Sequence, residues 1–193
     1  MRGVEQIPFL YDAMCAVLEW TGLGRWRTWL VKGARGRTLE VGAGTGRNLP
    51  QYDALPLLVA LEPSADALET ARGRAHGALL VKGSVEQLPF RAGAFDTVVS
   101  SLVFCSVPDV PRGLAEVQRV LAPGGALRML EHVRHTSRVG GWWHDAIAPA
   151  WKIVAGGCNP NRRTPEVVEA AGFTLTEQRA SGTMRRFVAT PRP

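Results

Sequence analysis

The chain has 193 residues, 46% of them apolar and 21% charged, a globular balance that excludes a disordered or collagen-like chain. That length supports one domain whose core needs neither disulfides nor a metal staple. The net charge is +6, but the 23 basic residues are scattered in short clusters such as Arg25/Arg27, Arg162/Arg163 and Arg185/Arg186; a nucleic-acid arm gathers its charge in one stripe, so no nucleic-acid partner is expected.

Taken in chain order, residues 1–36 read as a helical extension or lid. Phe9, Leu10, Ala13, Met14, Val17 and Leu18 recur at helical spacing, followed by Trp20, Trp26, Trp29 and a Gly/Arg-rich link. Three roles fit that segment: packing on the main domain, covering a ligand site, or weak docking on a membrane surface through its apolar face. Residues 37–193 form the main domain. Candidate strands are Thr38–Val41, Leu57–Leu61, Ala78–Val81, Phe95–Ser101, Ala126–Val133, Thr174–Arg179 and Arg186–Thr190. Candidate helices are Arg47–Ala54, Ala65–Ala75, Val110–Leu121, Gly141–Val154 and Pro165–Ala171. Ser64 is the expected cap of the second of these, and Thr164-Pro165 the expected cap and first residue of the last. Alternating strands and helices predict an α/β fold: a Rossmann-like, seven-stranded, mostly parallel sheet with helices on both faces and an antiparallel last strand.

The first strand runs into Glu40-Val41-Gly42-Ala43-Gly44-Thr45-Gly46. Glycines here permit a tight strand-to-helix turn and let a ligand approach bare backbone. The spacing is wrong for a dinucleotide fingerprint, because Arg47 stands where the third glycine belongs. No lysine follows to make a P-loop, so pyrophosphate recognition is not expected. Glu62 ends the second strand, close to the offset at which an acid meets a ribose, and its carboxylate can accept from both hydroxyls.

These residues resemble the class I S-adenosylmethionine (SAM)-dependent methyltransferases. The likeness continues through Gly83–Phe90, Phe95–Val99 and Glu116–Gly125. It implies SAM as methyl donor, with S-adenosylhomocysteine (SAH) as product. The cofactor-binding set it implies is Glu40, Gly42, Ala43, Gly44, Gly46, Glu62, Pro63, Ser84, Val85, Glu86, Ser101 and Leu102. Within that set Glu40 would sit near the ammonium, backbone near Gly42 and Gly44 would meet the amino-acid end, and Glu62 would hold the ribose. Ser84 stands where the family usually has an acid for the adenine amine, with Val85 after it; Ser101 and Leu102 would border the methionine portion.

The second half, from Leu102-Val103-Phe104-Cys105 through Leu130-Glu131-His132-Val133 to Gly157-Cys158-Asn159, is similar to the alkyl-thiol methyltransferases. Asn48-Leu49-Pro50-Gln51-Tyr52 also resembles phospholipid and quinone methyltransferases. A small apolar acceptor, thiol preferred, is therefore expected; a phospholipid or quinone, or a non-catalytic SAM-binding regulator, are the alternatives. Glu131 and His132, adjacent on a strand, point to opposite faces, and His132 or His144 is the candidate base. His132 and His135 point apart on an extended strand, so no metal is expected. Cys105 and Cys158 read as buried small hydrophobes. Trp142, Trp143 and Trp151 pack or wall an apolar acceptor pocket. No apolar run is long enough to span a membrane, and Pro8, Asp12 and Glu19 interrupt any signal peptide. With three unpaired cysteines, Cys15, Cys105 and Cys158, a reducing compartment follows, and the expected location is cytoplasmic, or peripheral to the membrane.

Overall fold

The computed structural model describes residues 22–154 and 157–192. The apolar positions Phe9–Leu18, with Cys15 and Trp20, lie outside the described residues. The rest of the expected extension forms α1 (Gly24–Lys32). Its Leu30, with Ala34, packs on Val99 and Leu130 of the sheet. The Arg128 guanidinium reaches across and donates to the Leu30 and Trp29 carbonyls at 2.9 and 2.8 Å, and it lies 4.3 Å over the Trp29 ring. A cation at the carbonyl end of a helix satisfies acceptors that have no partner within the helix.

Five parallel strands follow: β1 (Arg37–Val41), β2 (Leu57–Glu62), β3 (Leu79–Lys82), β4 (Phe95–Ser101) and β5 (Leu121–His132). β8 (Met184–Pro191) enters antiparallel to β5. β6 (Phe173–Leu175) and β7 (Arg179–Ser181) both pair antiparallel with β8. The order is β3-β2-β1-β4-β5-β8-β6, with β7 also on β8. The sheet thus has eight strands instead of the expected seven. The expected strand Thr174–Arg179 divides at Thr176, whose N–H and hydroxyl both turn to the Val188 carbonyl.

The helices are α2 (Ala65–Arg72), α3 (Val110–Val120), α4 (Arg138–Val154) and α5 (Thr164–Ala170). On α3, Val110, Leu114, Val117 and Val120 are buried at helical spacing against the sheet. Ser64 caps α2 as expected, accepting from the Ala67 N–H. At α5 the expected cap moves by one residue: Arg163 is the cap, Thr164 lies inside the helix and Pro165 follows. The expected helix Arg47–Ala54 shrinks to a 3-10 turn, Leu49–Gln51. Asn48 donates its side-chain amide to Glu40, and Tyr52 is extended.

The topology positions a site. The chain runs outward from β1 to β2 and β3, then crosses to β4 and β5 on the other side. A crevice opens at the carboxyl ends of β1 and β4, where the winding reverses, and ligands of open α/β sheets bind in such crevices.

Candidate active site

Val41 ends β1, and the turn that follows has left-handed backbone at Gly42, Gly44 and Gly46. At Gly42 a Cβ would lie 2.5 Å from Val103 Cγ2, so the turn fits against the loop after β4 only without a side chain. At Gly44 a Cβ would meet nothing within 4 Å. Close packing thus explains the first glycine, and open space at the second leaves room for a ligand against bare backbone. The Ala43 N–H donates to the Leu61 carbonyl at 3.0 Å, which fixes the turn to β2.

Glu62, at the end of β2, faces that turn. One carboxylate oxygen accepts from the Gly44 N–H at 2.9 Å, the other from the Ser64 N–H at 2.9 Å. Each oxygen keeps a second lone pair, so the group can still accept two hydroxyl protons. Burial raises the Glu62 pKa, opposed by the bonds from Ser64 and Gly44. Pro63 beside it is exposed.

Glu40 is only 1% exposed. Asn48 Nδ2 donates to it at 2.7 Å, and Arg27 donates to Asn48 Oδ1 at 2.9 Å. Burial pushes the Glu40 pKa up to about 7, against the pull of Asn48 and the Arg27 charge. Its other oxygen is buried with no hydrogen-bond partner in reach among the described residues, though the Tyr52 hydroxyl also pulls the pKa down. Glu40 thereby joins β1 to the turn and to α1.

The segment after β3 is equally tied. The Gly83 N–H donates to the Glu62 carbonyl at 3.2 Å. The Ser84 hydroxyl donates to Glu86 at 3.1 Å and accepts from the Glu86 N–H. The other Glu86 oxygen accepts from the Asp109 N–H at 2.7 Å. Val85 is buried in the main core. Ser84 therefore keeps acceptor capacity, while Glu86 braces the entry to α3.

At the end of β4 the Ser101 hydroxyl is buried without a hydrogen-bond partner among the described residues. Leu102 has φ +60°, a left-handed conformation costly for a side-chain-bearing residue. Its N–H is held by the Leu130 carbonyl at 2.7 Å. Glu131, on β5, is fully buried. One of its oxygens accepts from Ser100 Oγ at 3.0 Å and from the Val103 and Phe104 N–H groups, both at 3.2 Å. Burial pushes its pKa up to about 7 despite these bonds. Glu131 thus secures the loop whose Val103 abuts Gly42.

His132 points the other way, as strand alternation requires. Its ring lies 5.8 Å from that of His144 on α4, and the His144 ring lies 6.2 Å from His135. His144 Nδ1 is 3.1 Å from the Pro160 carbonyl, so in neutral His144 this nitrogen carries the proton and Nε2 is the acceptor. Among the described residues no group of three His, Cys, Asp or Glu could hold a metal ion. No helix among them is long and apolar enough to cross a membrane. Trp142, Trp143 and Trp151 are all exposed.

The cysteines differ from the sequence expectation. Cys105 is buried, but Cys158 is half-exposed. The Cys105 thiol bonding to it lowers the Cys158 pKa to about 5, against desolvation, with His132 and Trp151 adding to the effect. No spacing rule links residues 53 positions apart, so this cluster had no sequence signal.

The arrangement suits a nucleoside that carries no phosphate. Glu62 offers two acceptors, Gly44 offers open space, and Ser101 Oγ and one Glu131 oxygen at the strand ends are buried polar atoms with no partner among the described residues. Those features fit SAM. Residues 39–129 match the profile of a family described as a methyltransferase domain. The chain is 33% identical over 144 residues to the human thiol S-methyltransferase TMT1A, an alignment covering 70% of this chain and 59% of that protein. It is 34% identical over 126 residues to the demethylmenaquinone methyltransferase of Renibacterium salmoninarum, covering 63% and 53%. The chain thus spans little more than half the length of these relatives. A crystal structure of a SAM-dependent methyltransferase from Thermotoga maritima shares the fold, with a TM-score of 0.76, 24% identity and 96% coverage of both chains. Fold, cradle and likeness agree: the chain belongs to the class I SAM-dependent methyltransferases, and thiol S-methyltransferases are among the proteins it is similar to.

Proposed function

We propose that the protein transfers the methyl group of SAM to the sulfur of a small apolar thiol. One juxtaposition supports the reading most. The Gly44–Glu62 cradle and the His132–His144 pair lie at the same edge of the sheet, the carboxyl ends of its parallel strands. The likeness to the thiol S-methyltransferases supports the choice of acceptor.

SAM, when bound, supplies a methyl group activated by a positive sulfur. Glu62 and the backbone at Gly44 would hold its ribose side, Ser84 and Val85 its base, and Ser101 and Leu102 its methionine side. The chain's contribution is mainly orientation, which supplies about 7–11 kcal/mol when reacting atoms are pre-aligned. A thiol with pKa near 8.5 is already a few per cent thiolate at neutral pH, so the demand on a base is small. His132 takes the remaining proton, with His144 held beside it by the Pro160 carbonyl.

The demethylmenaquinone relative favours a second acceptor, a quinol. Its hydroxyl, with a pKa near 10, demands far more of a base. The purified protein with SAM and a panel of hydrogen sulfide, small alkyl thiols, a quinol and a lipid amine separates the readings. Methyl thioether formation is expected. Turnover of the quinol or amine with none of any thiol would overturn the acceptor, and tight SAM binding with no turnover at all would favour a regulatory role.

A further inference from the structure

The loop after β4 and the segment after α4 meet at a pair of cysteines that methyl transfer does not use. The Asn159 N–H and side-chain amide both donate to the Cys105 carbonyl, at 2.9 and 3.0 Å. Standard backbone dimensions then keep the Cα atoms of Cys105 and Cys158 within about 8 Å, at the border of what a disulfide spans. Arg162 donates to the Phe104 and Val107 carbonyls, and the Arg134 N–H donates to the Arg162 carbonyl. The segment after α4 is therefore tied to the loop on both sides of Cys105, through Asn159 and Arg162 just beyond Cys158. Both are free thiols; Cys105 Sγ lies 3.5 Å from the Leu102 carbonyl and 3.6 Å from Ser106 Oγ, and each thiol shifts the other's pKa, so the two side chains interact.

We propose that Cys105 and Cys158 form a peroxide-sensing dithiol, in which Cys158 is the attacking and Cys105 the resolving residue. The chemical asymmetry suits these roles. Cys158 is half-exposed, and the Cys105 thiol, with His132 and Trp151 adding to the effect, draws its pKa down and so favours the thiolate. Cys105 is 3% exposed, and the facing Cys158, together with burial, keeps it protonated. Reactive sensor thiols combine low pKa, access and a resolving neighbour.

The reaction balances with a hydroperoxide as oxidant. The Cys158 thiolate attacks the terminal peroxide oxygen; the O–O bond breaks, leaving a sulfenic acid on Cys158 and an alcohol or water once the leaving oxygen is protonated. The Cys105 sulfur then attacks the Cys158 sulfur. The S–O bond breaks, and the hydroxide leaves with the Cys105 proton as water. The disulfide locks the loop after β4, which carries Val103 against Gly42, to the segment after α4.

The test uses the full-length chain with Cys15→Ser, which removes the third thiol, treated with hydrogen peroxide and analysed by peptide mass spectrometry. A linked pair of peptides containing Cys105 and Cys158 is expected, reversed by dithiothreitol. Adding Cys105→Ser should stop the reaction at a Cys158 sulfenic acid trapped by dimedone. The rate at which iodoacetamide labels Cys158 in that background's parent should be flat from pH 6 to 8. Two thiols still fully alkylated after peroxide, a Cys158 bridge between two molecules, or a labelling rate that climbs about tenfold per pH unit across that range would overturn the proposal. None of these readouts depends on methyl transfer, so failure here is distinguishable from failure of the proposed activity.

Discussion

Replacing Glu131 by glutamine isolates the cost of the buried carboxylate that secures the loop after β4. Burial holds its pKa near 7 instead of the ordinary 4.5. The native state therefore keeps a proton that the unfolded chain has lost between those values. Native-state stability is fully favoured below pH 4.5, falls as the pH rises, and levels off above about 7. For this residue alone the loss amounts to about 3 kcal/mol. Glutamine keeps an oxygen to accept from Ser100, Val103 and Phe104, and cannot ionise. Its amide sits where the unpartnered Glu131 oxygen lies, which imposes a constant penalty at every pH. Urea unfolding of both proteins at pH 5 and pH 8 separates the two effects. The stability difference should move by about 2.5 kcal/mol in favour of Glu131→Gln at the higher pH, since part of the loss has already occurred by pH 5. Glu40, whose pKa burial also raises to about 7, is present in both proteins and cancels. An equal difference at the two pH values would refute the reasoning.

Gly42 and Gly44 share a backbone conformation but not surroundings, and alanine should tell them apart. Gly42→Ala meets Val103 at 2.5 Å and should cost about 2–4 kcal/mol of stability, read by thermal or urea unfolding. Gly44→Ala meets nothing within 4 Å, so its folding cost should be only about 1–2 kcal/mol, while SAH affinity in calorimetric titration falls sharply. Glu62→Ala removes two acceptors for ribose hydroxyls, at about 1.5–3 kcal/mol each for bonds to a charged group. SAH affinity should drop by at least about a hundredfold, with circular dichroism checking the fold; unchanged affinity would refute the ribose assignment.

The sheet was legible because its strands are β-rich runs bounded by turn residues, and the helix positions followed from spacing. Phe95–Ser101 matches the structure residue for residue. The misreadings have local causes. Asn48 is drawn to Glu40 and Tyr52 is extended, so the helix expected at Arg47–Ala54 stops at one 3-10 turn. α3 stops at Val120, and the Pro123-Gly124-Gly125 run that follows is absorbed into β5 at an irregularity opposite Phe95–Thr97. Of the site, the glycine turn and Glu62 were legible because both belong to one continuous strand–turn–strand unit. The role of Glu131 in holding the Val103–Phe104 loop was not, since adjacent residues on a strand say which faces they occupy and not what they meet. The same holds for Cys105 and Cys158, brought together only by the clamp of Asn159 and Arg162.

The central claim is that bare backbone at Gly44 and the carboxylate of Glu62 together hold the donor's nucleoside. A crystal structure of the protein grown with SAH tests it directly. The ribose hydroxyls are predicted within hydrogen-bond reach of both Glu62 oxygens, with the ligand lying against Gly44. SAH bound at any other surface, with Glu62 making no contact to it, would contradict the account.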